Sequence, residues 1–142
     1  MTPVVVDSSV AMKWFVPEVL SDRAARLLDG SFELFAPDLL IPECGNVLWK
    51  KISRDELRAE EGREILQALG RVPMRIVGSP ALVEAALEIA TTFRRTVYDG
   101  MYVALAVARG CALVTADDRL ARALAAGPLA PNIRRLGEWD AI

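Results

Sequence analysis

Apolar positions along this chain follow two rhythms, and they alternate. Val4-Val5-Val6 is a β-branched run ending at Asp7 and reads as a first, central strand. Ser8-Ser9 then opens a helical segment through Trp14-Phe15 that Pro17 stops. A second helix is expected from Leu20 to Asp29, with Ala24, Leu27 and Leu28 on its apolar side and Gly30 as its stop. Residues 32–36 alternate as a second strand closed by Pro37-Asp38. Pro42 suits the first turn of a helix to about Ile52, with Glu43 near its positive end and Val47 and Leu48 inward. Asp55 is expected to cap the next helix, to about Leu69, whose charges at i,i+3 and i,i+4 mark a solvated face.

Met74 to Val77 reads as a third strand. Gly78-Ser79-Pro80 gives a turn, a cap and a first-turn proline for a helix reaching about Arg95. The organising stretch follows. From Asp99, the residues Tyr102, Val103, Ala106, Val107 and Gly110 recur at helical spacing, and Gly110 suits a left-handed helix end. Cys111 to Thr115 is short, apolar and β-rich, a strand buried on both faces, with Asp117 just past its end. Arg119 to Ala126 is helical, and Asn132 to Leu136 is expected as an edge strand. Buried-type strands alternating with helices predict an α/β fold, a mostly parallel sheet of four to five short strands covered on both faces. Residues 1–142 read as one domain, with no repeat and no linker long enough to divide it.

Composition narrows the chemistry. The 53% hydrophobic fraction must go into a core or an interface, since no apolar run approaches the roughly 18 residues of a membrane span. The N-terminus has no basic segment followed by an apolar core, so no secretory signal is expected. The formal net charge of −2 gives no global pull toward nucleic acid. Cys44 and Cys111 sit in apolar or helical contexts and read as small buried hydrophobes, which suits a reducing cytoplasm. Histidine is absent. That excludes imidazole-based triads, His-ligated zinc and histidine acid–base nucleases, and leaves carboxylates, hydroxyls, lysines or an oxygen-held metal.

Four acids then matter. Each has an ordinary reading: an Asx turn for Asp7, N-caps for Asp99 and Asp117, a dipole partner for Glu43. A parallel sheet offers another, because all four can meet outside its carboxyl edge, where open α/β folds place their sites. Two carboxylates about 4 Å apart repel by roughly 4 kcal/mol at an effective dielectric of 20. Several such pairs would exceed a domain's stability of about 5–15 kcal/mol. A cluster of this kind needs protons or a cation, and an oxygen-only donor set selects Mg²⁺ or Mn²⁺.

Val4-Val5-Val6-Asp7-Ser8-Ser9, Pro42-Glu43 with Asn46, the run from Tyr98-Asp99-Gly100 to Ala106, and Leu113-Val114-Thr115-Ala116-Asp117 together resemble the PIN-domain nucleases. More narrowly they resemble the VapC-type toxins of toxin–antitoxin pairs, nearly end to end and including Lys13-Trp14. The resemblance implies a three-layer α/β/α fold and a Mg²⁺- or Mn²⁺-dependent endoribonuclease. It implies an acidic quartet of Asp7, Glu43, Asp99 and Asp117 that holds the metal, with Ser9 and Thr115 at the family's small hydroxyl positions. Asn46, sharing a helix face with Glu43, is a supporting residue. A cognate antitoxin and a homodimer are implied as partners, and a cytoplasmic protein with no membrane contact. Gly100 stands where the family more often has alanine, which is expected to weaken the helix start slightly. Asp118 competes with Asp117 as the fourth acid; Asp117 is chosen for its place two residues after Thr115.

Lys13, Lys50, Lys51, Arg54, Arg94 and Arg95 are candidates for a phosphate-tracking rim, against the alternative of ordinary solvated surface. Trp14 and Trp49 are expected mainly in core packing rather than base stacking or an interface. Two competing readings stand. An aspartyl-phosphate phosphatase or receiver-like domain shares the acids, but it usually needs a second Asp two residues after the first, where Ser9 stands. A catalytically silent PIN-like module binding protein or RNA would be free to lose the four acids.

Overall fold

The computed structural model describes residues 1–141. Five strands form the centre: β1 (Thr2–Val6), β2 (Phe32–Pro37), β3 (Met74–Val77), β4 (Ala112–Thr115) and β5 (Ile133–Arg135). They lie in the order β3-β2-β1-β4-β5, and all four neighbouring pairs are parallel. Seven α-helices connect them: α1 (Ser8–Ala11), α2 (Ser21–Arg26), α3 (Leu40–Ser53), α4 (Ala59–Leu69), α5 (Val83–Phe93), α6 (Val97–Arg109) and α7 (Asp118–Leu124). The strands are buried on both faces as their continuous apolar runs require. One core gathers Val5, Phe35 and Leu113 with Leu48, Leu105 and Leu120. The other gathers Val4, Val6, Leu34 and Val114 with Val10, Ala24, Leu27 and Leu136. Among the described residues no helix is long and apolar enough to cross a membrane.

The strand order positions the chemistry. The chain walks from β1 outward to β2 and β3, then returns to lay β4 on the other side of β1. That reversal makes the carboxyl ends of β1 and β4 a topological switch point, where such sheets open a crevice. Asp7 follows β1 directly, and Asp117 lies two residues past the end of β4.

Several element boundaries differ from the sequence expectation, each for a local reason. The segment after Asp7 is one α-turn continued as a 3-10 turn over Met12–Trp14. Leu20 stands left-handed at φ 69°, and after Arg26 the amides of Leu27, Leu28 and Asp29 bond three residues back, so α2 tightens and ends early. Asp55 does not cap α4. It sits left-handed at φ 58° with its amide on the Ile52 carbonyl, closing α3 instead. Glu61 reaches back to accept from the Arg58 amide at 3.1 Å, and α4 starts at Ala59. Ser79 donates its hydroxyl to Asp38 at 2.6 Å; a 3-10 turn over Ser79–Ala81 precedes α5, which ends where Arg94 turns left-handed at φ 55°.

Gly100 has a role in packing beyond its expected weakening of the start of α6. A Cβ there would overlap the carbonyl oxygen of Ala86 and lie 3.0 Å from its carbon and 3.1 Å from its Cα. The backbones of α5 and α6 touch at this point, and only glycine admits the contact.

Candidate functional site

Asp7 is 6% exposed, one of two buried polar or charged residues among those described. The other is Thr115, at the end of the neighbouring strand. Their pairing is direct: the Thr115 hydroxyl donates to Asp7 Oδ2 across 108 positions of sequence. Ser9 donates to Asp7 Oδ1 at 2.6 Å, and the Val10 amide to the same oxygen at 3.2 Å. Each hydroxyl in turn accepts from the loop after β4. The Ala116 amide donates to Ser9 Oγ and the Asp117 amide to Thr115 Oγ1, both at 2.9 Å. The chain thus laces the end of β1 to the end of β4 through two small hydroxyls.

Burial is the largest influence on Asp7 and pushes its carboxyl up to about 6. The Ser9, Thr115 and Val10 donors oppose that rise, and the negative Asp117 adds to it. Asp117 is the N-cap of α7, its Oδ1 accepting from the amides of Arg119 at 3.0 Å and Leu120 at 3.2 Å. Asp118 is turned elsewhere, 73% exposed and 3.3 Å from Arg135.

The second pair comes from α3 and α6. Glu43 lies in the first turn of α3, and Asp99 in the first turn of α6, where its amide donates to the capping Thr96 hydroxyl at 3.0 Å. Glu43 is raised chiefly by burial and secondly, among the raising causes, by the charge of Asp99; Tyr102 opposes both by donating to Glu43 Oε1 at 2.5 Å. Arg95 neutralises Asp99, with Nη2 at 3.1 Å and Nε at 3.2 Å from Oδ2.

The fold therefore brings the acids within electrostatic reach as two pairs, Asp7 with Asp117 and Glu43 with Asp99. Among the described residues no three acidic or cysteine side chains are gathered around one point. A common feature nonetheless runs through three of them. Glu43 Oε1, Asp99 Oδ2 and Asp117 Oδ1 are held by donors, while Glu43 Oε2, Asp99 Oδ1 and Asp117 Oδ2 accept nothing from the described residues. Asp7 has three of about four lone-pair positions filled. Glu43, Asp99 and Asp117 are thus anchored on one oxygen and open on the other, whereas Asp7 is held on both oxygens. Oxygen donors alone are offered, since burial pushes the Cys44 thiol up to about 12. Such a set fits a hard divalent ion and disfavours zinc.

The other candidates divide. Asn46 is exposed on α3, and its side chain makes no hydrogen bond to a described residue. Lys13 pairs with Glu18 at 3.1 Å, and Lys51 with Glu18 at 3.9 Å and Glu56 at 3.6 Å. Lys50 and Arg94 form no ion pair within the described residues. Trp14 is packed between both cores with its Nε1 donating to the Ala24 carbonyl at 2.9 Å. Trp49 corrects the expectation of core packing: it lies on the outer face of α3, 61% exposed. Cys44 and Cys111 are unpaired. Sequence reasoning missed Tyr102 as a site residue by placing it in the core; its spacing three residues beyond Asp99, on the same helix face, was the available signal. A cavity of about 670 Å³ lined by Leu27, Phe32, Val72 and Met74 lies at the opposite, amino end of the strands and offers apolar surface rather than chemistry.

The PIN domain family model matches residues 4–125. Ribonuclease VapC3 of Pyrobaculum aerophilum is 35% identical over 119 residues, 82% of this chain and 91% of that protein. Ribonuclease VapC9 of Mycobacterium tuberculosis is 38% identical over 117 residues, 82% of this chain and 87% of that protein. Among solved structures, VapBC2 from Rickettsia felis, bound to a DNA fragment from its promoter, superposes with a TM-score of 0.68. That match has 13% identity and covers 94% of this chain and 98% of that one, a likeness of fold.

Proposed function

The chain belongs to the PIN-domain family, and from that premise we propose that it is a Mg²⁺- or Mn²⁺-dependent endoribonuclease, the toxin of a VapBC-type toxin–antitoxin pair acting in the cytoplasm. The observation that carries this reading is the pairing of Asp7 with Asp117 and of Glu43 with Asp99, with one oxygen of Glu43, Asp99 and Asp117 held by a donor and the other accepting nothing from the described residues. Asp7, Glu43, Asp99 and Asp117 would hold the ion. A divalent ion held there would supply Lewis-acid chemistry, activating a water for attack and offsetting charge on the scissile phosphate.

The chain's own groups prepare that chemistry. Ser9 and Thr115 hold the Asp7 carboxylate in one rotamer and favour its charged form against burial. The Asp117 cap ties the fourth acid to the helix start, so its open oxygen keeps a fixed position. Arg95 covers Asp99 and competes with any cation for it. Lys50 and Arg94, free of ion pairs within the described residues, are available to RNA phosphates. Hydrolysis by an activated water leaves a 5′-phosphate and a 3′-hydroxyl and makes no use of the RNA 2′-hydroxyl.

Two partners follow from the family reading. An apolar groove of about 400 Å³ lined by Phe15, Val16, Pro17, Leu57 and Ile65, with Glu61 and Glu64 on its rim, suits an amphipathic antitoxin segment. The exposed Trp49, Ile76, Val83 and Leu87 supply apolar surface for a homodimer.

Labelled single-stranded RNA tests the activity. Cleavage is expected with Mg²⁺ or Mn²⁺, to stop in EDTA, and to be lost in Asp99→Asn. RNA retained uncut under every metal condition would mark a binding module instead. Arg95→Gln makes a separate prediction: losing a competing ion pair worth about 0.5–1 kcal/mol should tighten Mn²⁺ binding about two- to five-fold. Calorimetric titration showing unchanged or weaker binding would contradict it.

A further inference from the structure

Tyr102 is 3% exposed, and its ring belongs to the core beneath α3 and α6. A phenylalanine would fill the same space, so packing does not account for the hydroxyl. That hydroxyl ends on a carboxylate 59 positions away in sequence, donating to Glu43 Oε1 at 2.5 Å. Asp99 lies one helical turn earlier on the same face of α6. One helix thus presents an acid and, beside it, the donor that seats the acid of another helix. Glutamate has one more side-chain torsion than aspartate, and Glu43 accepts no other hydrogen bond from the described residues. Asp7 and Asp117 are steadied by backbone amides, and Asp99 by Arg95. Glu43 alone among the four depends on a single side-chain hydroxyl for its orientation.

The geometry points to Tyr102 as the positioning residue for Glu43: its hydroxyl seats Oε1 and leaves Oε2 for an ion shared with Asp99. This inference rests on the metal-dependent ribonuclease reading above. Hydrogen-bond partners that orient metal-binding carboxylates are worth about 10- to 100-fold in metal affinity or activity. Tyr102 therefore acts through Glu43, and its contribution should vanish when Glu43 cannot bind the ion.

The test is a double-mutant cycle on the full chain with Tyr102→Phe, Glu43→Gln and the pair. Free Mn²⁺ is measured by electron paramagnetic resonance at a temperature below every variant's unfolding transition in EDTA. Tyr102→Phe is expected to weaken Mn²⁺ binding about 10-fold while its melting temperature in EDTA stays close to the parent's. In the Glu43→Gln background the same change should cost nothing further. At saturating Mn²⁺, kcat for RNA cleavage should fall with KM for RNA unchanged. Parent-like Mn²⁺ affinity in Tyr102→Phe, or an equal loss in both backgrounds, would overturn the role assigned to Tyr102 and leave the ribonuclease reading standing. A parent protein that binds no Mn²⁺ would overturn that reading, and this inference with it.

Discussion

Asp7→Asn is expected to reduce RNA cleavage by more than about 100-fold, beyond the upper end of what losing an outer partner of a metal ligand costs. The same change should stabilise the protein in EDTA. Burial raises the Asp7 carboxyl from its ordinary 3.8 to about 6. Over that window the folded state holds a proton that the unfolded state has released, so stability falls as pH rises. Below pH 3.8 the group is neutral in both states and the penalty is absent; above pH 6 the penalty is complete. At about 1.4 kcal/mol per tenfold it amounts to roughly 3 kcal/mol.

Asparagine carries no such charge and keeps the acceptor for Ser9 and Val10. Its amide would face Thr115, whose hydroxyl proton must turn toward Ser9 Oγ, 3.5 Å away. Allowing about 1 kcal/mol for that weaker hydrogen bond, a gain on the order of 2 kcal/mol should remain at pH 7. Urea unfolding in EDTA at pH 4 and pH 7 checks the sign: the gap between Asp7→Asn and the parent should open as pH rises. A gap that closes, or Asp7→Asn less stable than the parent at pH 7, would show that the buried carboxylate is not the source of strain.

Gly100→Ala is the second large effect, and it runs against helix propensity. Alanine in the first turn of α6 should gain up to about 1 kcal/mol. The new Cβ, however, would meet backbone atoms of Ala86 rather than the end of a flexible side chain. Separating α5 from α6 to make room should cost about 3 kcal/mol, the upper end of ordinary overpacking. A net loss of about 2 kcal/mol corresponds to a melting temperature lower by roughly 8 °C for a chain of this size. Because Asp99 precedes this residue, a displaced α6 should also weaken Mn²⁺ binding. A melting temperature equal to or above the parent's would mean that the two helices part without cost.

The sheet was legible because its signals are local. Val4 to Asp7 and Cys111 to Thr115 are short β-branched or apolar runs with an acid at or just past their ends, and that pattern carries strand, direction and candidate site together. Four strand–helix alternations then point to parallel pairing. The strand order was not legible, because the β1–β4 pairing joins residues more than a hundred positions apart and is decided by packing on both faces. Asp55 misled for a different reason: an aspartate tolerates both the cap and the left-handed conformation, and the chain uses it to end α3. Gly100 read as a local weakness because its cause, the Ala86 carbonyl, lies in another helix. Tyr102 was hidden by its own burial, since an aromatic at core spacing gives no sign of where its hydroxyl ends.

The ordinary readings of the acids also proved partly true, which is instructive about their design. Asp117 is an N-cap and Asp99 lies in a first turn close to its cap. Capping uses one carboxylate oxygen and leaves the other open. A structural role and a chemical one are thus compatible in the same side chain, and the first supplies the rigidity that the second requires.

A manganese anomalous difference map from crystals soaked in MnCl₂ tests the four-carboxylate site most directly. The account predicts a peak in the crevice at the ends of β1 and β4, bounded by Asp7, Glu43, Asp99 and Asp117, and absent in Asp7→Asn. A map without a peak there, or with manganese bound only elsewhere on the chain, would contradict it.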